Sequence, residues 1–387
     1  MKKLIRITTI PLSLEKLLGE QLRFMNQHLE VTAVSADKKE LERVAQKFGV
    51  KSYHVEMTRK ITPIQDLKAI LKLYKFLKKE KPEMVHTHTP KAGLVGMIAA
   101  KLAGVPLRLH TVAGLPLMEA TGMKRIVLNM VEKITYACAH QMYPNSKGLE
   151  QFILKEKFCS PRKLKVIGNG SSNGINTEHF TLKHFTAEQL RDVRDTLGIT
   201  QNAFVFVFIG RLVKDKGINE LVSAFRNIAF PNTQPTKLIL VGPLESDLDP
   251  LLPETLQEIE TNPDILTVGF RQDVRPYLAI SDALVFPSYR EGFPNVVMQA
   301  GAMGLPAIVT DINGCNEIIE DGKNGLIIPP KDSRSLQQKM TDLVNRPALR
   351  QELAANARPM IESRYRQEVV WEALLQEYRS LLDEKYK

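Results

Sequence analysis

Two cations stand five residues apart in GRLVKDKG, a loop that follows an apolar run in the second half of the chain. Arg211 and Lys216 lie in this loop just before a helix is expected to open near Gly217. Backbone N–H groups at a helix N-terminus point at a bound anion, and fixed cations beside them neutralise its charge. The spacing therefore suits a diphosphate, with two solvated basic residues in a surface loop as the alternative.

A carboxylate opens a second loop, EGFP, between the apolar runs ALVFPS and AIVT. Gly292 and Pro294 shape a turn that brings the backbone N–H groups of Gly292 and Phe293 to the start of a helix, which is again an anion site. Glu291, at the end of the preceding strand, is expected to accept hydrogen bonds from sugar hydroxyls. The loop thus combines a backbone suited to phosphate with a side chain suited to a sugar.

The helix after this loop, and a third loop, carry further polar candidates. Asn295 and Gln299 are four residues apart and so share one helical face. In TVGFRQDVRPYLAISD, a glycine at a strand end precedes an aromatic residue and Arg271, which together could cover a planar base. An ordinary strand-to-helix turn is the alternative interpretation of that stretch.

The elements that must position these loops alternate between strand and helix. LIRITTI, VTAVSA, SYHVEM, MVHTH and PLRLHTV read as strands in the first half, and FVFVFIG, KLILVGP, ILTVGF, ALVFPS and AIVT in the second. Such alternation predicts parallel sheets with helices on both faces. Ligands of these sheets bind beyond the carboxyl ends of the strands. We therefore predict an α/β protein with two doubly wound, Rossmann-like domains facing each other across a cleft.

A stretch rich in Gly, Asn and Ser, KLKVIGNGSSNGINTEHF, marks the expected boundary between the two domains. We place an N-terminal domain at 1–180 and a C-terminal domain at 181–365. A C-terminal helix over 366–387 is expected to pack back toward the N-terminal domain. The helix after the first strand is expected over LEKLLGEQLRFMNQH.

Composition and charge restrict the class of protein. The 387 residues are 43% hydrophobic and 25% charged, and no uncharged apolar run reaches the roughly 18 residues of a membrane span. The N-terminus lacks a small-residue cleavage site, and three cysteines without metal spacing form no disulfide framework. We expect a cytoplasmic protein.

The net charge is unevenly placed along the chain. Counting Lys and Arg against Asp and Glu gives +15 for residues 1–180 and −5 for 181–387. The basic half is either a solvated face or a surface that meets phosphates, such as an anionic membrane leaflet. Aromatic residues are only 6%, and no nucleic-acid-binding motif is present, so no nucleic-acid partner is expected.

Taken with their flanking residues, these loops resemble family 4 of the retaining glycosyltransferases, a large group with the GT-B fold that uses nucleotide-sugar donors. The resemblance covers almost the whole chain. It is most specific in PSYREGFPNVVMQAGAMGLPAIVTDINGCNEIIEDGKNGLIIPPKD and in GRLVKDKG, which matches the pattern G-R-x4-K-G, and HTHTPKAGLVGMIAAKLAGVPLRLHTVAGL also looks like this family. The likeness is closest to bacterial enzymes that build capsular, lipopolysaccharide or other surface glycans.

The resemblance implies that the domain at 1–180 binds the acceptor and that the domain at 181–365 binds the nucleotide sugar. It also implies roles for individual residues. Arg211 and Lys216 would bind the donor diphosphate, and Glu291, the first residue of the Glu-x7-Glu motif, would contact the donor sugar. His110 matches a histidine near the donor sugar and β-phosphate, with a core histidine at a strand end as the alternative. The expected catalytic set is Arg211, Lys216, Glu291 and His110. The expected donor-binding set is Gly210, Arg271, Gly292, Phe293, Pro294, Asn295, Gln299 and, at the domain junction, Asn173 and Gly174.

The chain departs from the family pattern at two places. The first loop, TTIPLSLEKLLGEQ, has Pro11 and Ser13 where the family often has a glycine pair. Gln299 stands where the second Glu of the motif contacts the ribose hydroxyls. Its amide oxygen still accepts a hydrogen bond, but neutral hydrogen bonds are roughly half as strong as charge-assisted ones. We therefore expect weaker or altered ribose recognition.

These points together predict the transfer of a hexose from a UDP-sugar to a glycan hydroxyl, with retention of configuration. The acceptor is expected to be linked to a polyprenyl diphosphate at the inner leaflet of the membrane. No Asp-x-Asp motif lies in a suitable loop, so no metal or other cofactor is expected. Two alternatives stay open, namely an isomerase of the same fold, such as a UDP-N-acetylglucosamine 2-epimerase, and a non-catalytic subunit of a polysaccharide assembly.

Overall fold

The computed structural model describes residues 1–387 except 59, 61, 116, 118–119, 229–233, 246–248 and 387. It consists of two compact units. The first unit comprises Met1–Gly174 and the C-terminal segment from Gln367, and the second comprises Ile175–Arg366. The chain first leaves the first unit six residues before the expected boundary at 180, inside the stretch rich in Gly, Asn and Ser.

The first unit is built on a parallel sheet of buried, largely apolar strands. The strands are β1 Lys3–Ile7, β2 Glu30–Ser35, β3 Lys51–His54, β4 Met84–Thr87, β5 Leu107–Val112 and β6 Gln141–Pro144. They lie in the order β3-β2-β1-β4-β5-β6, and every neighbouring pair is parallel. Strand order on both sides of β1 is that of a doubly wound sheet.

Helices cover both faces of this sheet. In chain order they are α1 Pro11–Ser13, α2 Glu20–Asn26, α3 Lys38–Phe48, α4 Pro63–Glu80, α5 Pro90–Ala103, α6 Gly122–Cys138 and α7 Lys147–Lys155, and the chain ends with the C-terminal helix Gln367–Tyr386. The apolar residues of α4 to α7 share one core, and those of α2, α3 and the C-terminal helix share another on the opposite face. The C-terminal helix therefore packs on the first unit, which confirms that expectation.

The prediction of one continuous helix over LEKLLGEQLRFMNQH was wrong, because the segment is divided at Gly19. The chain becomes helical earlier, at Pro11, where the missing N–H of proline costs no hydrogen bond. A π-helical turn follows over Leu14–Leu18. Gly19 then interrupts the helix with a φ of 49°, and α2 begins after it. The segment that was expected to be a loop at Pro11 and Ser13 is thus the first helical turn.

The second unit repeats the architecture. Its strands are β7 Phe204–Ile209, β8 Thr236–Val241, β9 Ile265–Gly269, β10 Ala283–Phe286, β11 Ala307–Thr310 and β12 Gly325–Ile328. Its helices are α8 Ala187–Thr196, α9 Ile218–Arg226, α10 Pro253–Thr261, α11 Arg275–Ala279, α12 Asn295–Ala302, α13 Cys315–Ile318, α14 Ser333–Asn345 and α15 Pro347–Tyr365. The prediction of two Rossmann-like α/β domains is confirmed.

The order of the second sheet, β12-β11-β10-β7-β8-β9, decides where its loops meet. From β7 the chain runs outward through β8 and β9, and then returns to place β10 on the other side of β7. This reversal is the topological switch point at which open α/β sheets bind ligands. The loops GRLVKDKG and EGFP follow β7 and β10, so they lie side by side at this point.

Candidate functional site

An ion pair joins the two loops at the switch point. Lys216 Nζ lies 2.5 Å from Glu291 Oε1, and the two side chains are only 18% and 15% exposed. The sequence separates these residues by 75 positions, and the sheet order brings them together. Since both charges are largely removed from water, each depends on the other for its stabilisation.

Glu291 is held in place by residues that the sequence analysis did not single out. The hydroxyl of the buried Ser288 lies 2.9 Å from Glu291 Oε1. The Ser288 carbonyl in turn accepts a hydrogen bond from the hydroxyl of Thr310, at the end of β11. The side-chain amide of Asn313 donates to the carbonyl oxygens of Glu291, at 3.1 Å, and Gly292, at 2.6 Å. The sequence feature that could have identified Ser288, Thr310 and Asn313 is their position inside the longest stretch that resembles the family, from PSYREGFP to TDINGCNE.

Lys216 is presented by a tight turn between strand and helix. It closes the 3₁₀ turn Lys214–Lys216, and Gly217 follows with a φ of 72° as the N-terminal cap of α9. A Cβ atom on Gly217 would lie 2.1 Å from the carbonyl oxygen of Pro287, the residue that follows β10. Glycine is therefore required here by conformation and by space, and the prediction that the helix opens near Gly217 is confirmed.

Arg211 is the more exposed of the two predicted phosphate ligands. Its Nη1 atom lies 2.8 Å from Glu245 Oε2, with 45% and 35% of the two side chains exposed. The hydrogen bond to Glu245 raises the pKa of Arg211 above its ordinary value. Gly210 continues the backbone pairing beyond β7, since its N–H donates to the Val241 carbonyl at 2.9 Å. Both predicted cations are thus paired with carboxylates.

The EGFP loop presents unpaired backbone donors beside α12. The N–H groups of Gly292 and Phe293 donate no hydrogen bond within the part of the chain that the structure describes. Phe293 packs its ring edge-on against Tyr365, with the ring centroids 5.4 Å apart. Pro294 caps α12, which begins at Asn295 as predicted. The loop therefore has the geometry expected of an anion site, with its aromatic side chain turned into the core.

The remaining candidates of the second unit are less constrained. Asn295 is exposed and Gln299 is partly exposed. Gln299 makes no side-chain hydrogen bond to any described residue, so its amide is available to a ligand. Arg271 is exposed and has no side-chain partner among the same residues, and the neighbouring Phe270 is 73% exposed. Arg271 therefore forms no hydrogen bond or ion pair with Lys216 or Glu291.

His110 lies in β5 of the first unit and is almost completely buried, with 4% of its surface exposed. Its Nδ1 atom is 2.6 Å from the hydroxyl of Thr87. A Cβ atom on Gly93 of α5 would lie 2.5 Å from the imidazole ring, so glycine lets the helix close over the histidine. Burial lowers the pKa of His110 to about 4, and the imidazole is neutral at neutral pH.

Asn173 and Gly174 end the first passage of the chain through the first unit. Asn173 Oδ1 accepts hydrogen bonds from the indole N–H of Trp371, at 2.7 Å, and from Gln21 Nε2, at 3.3 Å. The N–H of Gly174 donates to the Ser171 hydroxyl at 3.0 Å. Asn173 therefore ties the C-terminal helix to α2 within this unit, a contact that no sequence pattern predicts.

A buried polar network lies beside these residues. The guanidinium of Arg6 is fully buried and donates to His88 Nε2 at 2.9 Å, Gln21 Oε1 at 2.5 Å and the Tyr378 hydroxyl at 3.2 Å. His86 Nδ1 is 2.5 Å from the same hydroxyl. Burial, with the nearby positive charge of Arg6, lowers the pKa values of His86 and His88 well below the ordinary value. Both histidines are held neutral beside a buried cation.

Two further properties of the described chain bear on its chemistry. The side chains that the structure describes form no group of three or more His, Cys, Asp and Glu residues able to hold a metal ion. None of the described helices combines the length and the apolar composition that spanning a membrane requires.

Comparison with known proteins assigns the class to which this fold and site belong. Residues 191–360 match the family described as glycosyl transferases group 1, and residues 20–146 match the family described as glycosyl transferase 4-like. The capsular polysaccharide biosynthesis glycosyltransferase CapM of Staphylococcus aureus is 32% identical over 383 residues, which cover 99% of this chain and 98% of that protein. The chain belongs to the group 1 glycosyl transferases.

Two other similar proteins extend the comparison. The UDP-Gal:alpha-D-GlcNAc-diphosphoundecaprenol alpha-1,3-galactosyltransferase of Escherichia coli is 33% identical over 282 residues, with 71% of this chain and 70% of that protein covered. The crystal structure of Anabaena Alr3699/HepE in complex with UDP and glucose has a TM-score of 0.78 at 18% identity and covers 98% of this chain and 100% of that chain. That likeness confirms the GT-B fold.

Proposed function

We propose that this glycosyltransferase moves a hexose from a UDP-sugar to a lipid-linked glycan, with retention of configuration, during synthesis of a bacterial surface polysaccharide. The observation that carries the proposal is the Lys216–Glu291 pair, which lies at the switch point of the second sheet inside the region that matches the family. The names of two similar proteins support its chemistry. One builds a capsular polysaccharide, and the other uses UDP-Gal and an acceptor linked to diphosphoundecaprenol.

The contacts of Lys216 and Glu291 leave hydrogen-bonding groups of both side chains available to a sugar donor. Glu291 Oε1 is engaged by Lys216 and Ser288, whereas Oε2 accepts no hydrogen bond from the described residues. This second oxygen is free to accept a hydrogen bond from a hydroxyl group of the donor sugar. The ammonium group of Lys216 has three N–H donors, so it can hold Glu291 and a phosphate oxygen together. Arg211 and the free N–H groups of Gly292 and Phe293 are the further phosphate ligands.

The reaction we propose is a front-face displacement. The acceptor oxygen forms its bond to C1 of the sugar on the face from which the β-phosphate oxygen leaves. The proton of the acceptor hydroxyl passes to an oxygen of that departing phosphate. Negative charge grows on the UDP as the bond breaks, and Lys216 and Arg211 stabilise it electrostatically.

His110 enters this scheme as a neutral group. Because the pKa of His110 is about 4, we propose that it offers a hydrogen bond to the donor and does not exchange a proton with it. The rate of transfer is therefore expected to show no step between pH 5.5 and 7.5 that belongs to the titration of this residue.

The proposal is tested by measuring sugar transfer from UDP-sugars in Lys216→Ala and Arg211→Ala variants. Loss of a preorganised cation at a developing negative charge is expected to lower kcat by about a hundredfold or more in Lys216→Ala. Lys214→Ala is the matched control, since Lys214 lies in the same 3₁₀ turn and is exposed. Near-normal turnover in both test variants would contradict the assignment of Lys216 and Arg211 as ligands of the donor phosphates.

Retention is tested on the product of the same reaction. The anomeric configuration of the transferred sugar, read by NMR coupling constants, is expected to equal that of the α-linked donor. An inverted product would contradict the front-face displacement. Formation of an epimerised UDP-sugar with no transfer would contradict the function itself.

A further inference from the structure

A second ion pair joins the two loops of the donor site, one residue away from Lys216 and Glu291. Arg290 Nη2 lies 2.6 Å from Asp215 Oδ2, and 46% and 18% of the two side chains are exposed. Asp215 directly precedes Lys216 on the loop after β7, and Arg290 directly precedes Glu291 on the loop after β10. The two pairs have opposite polarity, because the loop after β7 supplies the acid of one pair and the cation of the other. Two adjacent, opposed ion pairs therefore hold these loops together.

Asp215 is also fixed through its backbone. Its N–H donates to Asp249 Oδ2, on the loop after β8, at 2.6 Å. Its carbonyl oxygen accepts the N–H of Tyr289 at 2.9 Å and the hydroxyl of Ser288 at 3.4 Å. Asp215 thus contacts the loops after β8 and β10 from the loop after β7. A displacement of Asp215 would also displace Lys216, because the two residues share a peptide bond.

The carboxylate of Asp215 depends on Arg290 for the compensation of its charge. Its Oδ1 atom is buried and accepts no hydrogen bond from the residues that the structure describes, and Oδ2 is the atom that Arg290 contacts. Removal of one partner from a largely buried ion pair leaves an uncompensated charge, which is costly. Loss of Arg290 is therefore expected to draw Asp215 toward water, and with it the turn that carries Lys216.

We propose that Asp215 and Arg290 are positioning residues, which set the places of Lys216 and Glu291 in the donor site. Asp215 is not itself a phosphate ligand, because a carboxylate and a phosphate repel each other. Its effect on the donor passes through the turn that presents Lys216 and through Arg290, the residue before Glu291. The inference deepens the proposed function and rests on it, since it takes Lys216 and Glu291 as ligands of the donor.

The sign of the effect on UDP binding separates positioning from direct electrostatics. Asp215→Asn and Arg290→Gln change the local charge in opposite directions. If charge alone acted on the bound anion, loss of the acid would tighten UDP binding and loss of the cation would weaken it. If the two residues act by positioning Lys216 and Glu291, both substitutions weaken UDP binding and both lower kcat.

The test measures the Kd for UDP by calorimetry and the kcat of sugar transfer in the full chain. Asp215→Asn and Arg290→Gln are each expected to raise the Kd and to lower kcat about tenfold, since a misplacement of about 1 Å can cost about a hundredfold in rate. The double variant is expected to lose no more than either single variant, because the effects of two residues that act as a pair are not additive. Arg290→Lys keeps the cation and is expected to recover part of the lost kcat.

An ion pair at the other end of the same sheet provides the matched control. Lys237 Nζ lies 2.8 Å from Asp264 Oδ1, and 18% and 52% of the two side chains are exposed, which is close to the exposure of Asp215 and Arg290. Lys237 is near the start of β8 and Asp264 directly precedes β9, so this pair lies at the amino ends of the strands. Lys237→Gln and Asp264→Asn are expected to leave the Kd for UDP and kcat unchanged, whatever their effect on the melting temperature.

The environment of Lys216 can also be measured without any ligand. Acetylation of the lysines by an N-hydroxysuccinimide ester, followed by mass spectrometry, reports how well each amine is protected from the reagent. Lys216 is expected to lose its protection in Asp215→Asn and in Arg290→Gln. Lys214, which is exposed in the same turn, is expected to react as it does in the parent chain.

Three results would overturn the inference. One is opposite effects of Asp215→Asn and Arg290→Gln on UDP binding, which would make Arg290 a direct ligand of the phosphates. Another is an additive loss of kcat in the double variant. The third is a lower melting temperature with unchanged Kd, kcat and Lys216 acetylation, which would give the pair a structural role alone. If Lys216 loses its protection as expected but the parent chain transfers no sugar, the positioning role is supported and the proposed function is not.

Discussion

Lowering the pH from 6.5 to 5 is expected to destabilise the first unit, because this unit buries three histidines in the neutral form. His86, His88 and His110 are 0%, 5% and 4% exposed. Burial lowers the pKa of each, to about 4 for His110, and the charge of Arg6 lowers the pKa of the other two further. In the unfolded chain their pKa values return to about 6.5. Below that pH the unfolded state binds more protons, so stability falls as the pH falls.

The size of the effect follows from the number of protons. Each proton that the unfolded state binds in excess changes the free energy of unfolding by about 1.36 kcal/mol per pH unit, so three histidines give about 4 kcal/mol per unit. Glu132 opposes this, because burial raises its pKa from 4.5 to about 7. Between those values the folded state holds a proton that the unfolded state lacks. The net excess approaches two protons below about pH 6, once the histidines of the unfolded chain are mostly protonated, and integration from pH 6.5 to 5 predicts a loss of about 3 kcal/mol.

The chain contains its own probe for this measurement. Trp371 is the single tryptophan, and it is buried in the first unit with its indole N–H bonded to Asn173. Urea unfolding followed by its fluorescence, at several pH values between 5 and 7.5, gives the stability of this unit. We expect a slope that reaches about 2.7 kcal/mol per pH unit below about pH 6.

A variant tests whether the histidines cause the slope. His110→Asn removes one of the three, so its slope is expected to fall to about 1.4 kcal/mol per pH unit. The control is His140→Gln, since His140 is exposed in the same unit and is expected to leave the slope as it is. A free energy of unfolding that stays constant from pH 7 to pH 5 would refute the reasoning. So would an equal reduction of the slope in both variants.

Three further predictions concern the second unit. Ser288→Ala removes the hydroxyl beside Glu291. It is expected to raise the KM for the UDP-sugar about tenfold, since hydrogen bonds to charged groups contribute about 1.5–3 kcal/mol. A KM within twofold of the parent would refute this. Gly217→Ala is expected to lose at least about 2 kcal/mol more stability than Gly198→Ala. Both glycines have a positive φ, but of the two only Gly217 has atoms within 4 Å of the added Cβ. Equal melting temperatures of the two variants would contradict this prediction. Gln299→Glu is expected to lower the Kd for UDP several-fold in calorimetry through charge assistance, and weaker binding would show that the ribose contact is built around a neutral partner.

The sequence predicted the location of the candidate site because the relevant signals are local. The runs FVFVFI and ALVF are apolar over their whole length, as strands buried on both faces must be. Gly217 and Pro294 then mark where the following helices open. These patterns fix strand, loop and helix start within one stretch of chain each. Strand alternation also predicted two parallel sheets, whose neighbouring loops follow from the general topology of such sheets.

What the local patterns did not contain is the set of side-chain partners. Lys216 and Glu291 are 75 residues apart, and Arg211 and Glu245 are 34 apart, so only the folded sheet shows that these charges neutralise each other. The last strands of the two sheets, QMYP of β6 and GLII of β12, were not predicted at all. Four residues with a proline or a glycine are too few for the period of a strand to appear. The π-helical turn at Leu14–Leu18 left no signal either.

The partners change how the charges of the site should be understood. Without Glu291, the partly buried ammonium of Lys216 would be an unpaired charge largely removed from water. With Glu291 at 2.5 Å and Ser288 behind it, the ammonium is fixed before any donor arrives. A preorganised cation of this kind needs little rearrangement as negative charge develops on a leaving group, which is the condition under which electrostatic stabilisation is most effective. Glu291, which is expected to contact the donor sugar, therefore also positions Lys216, which is expected to stabilise the departing UDP.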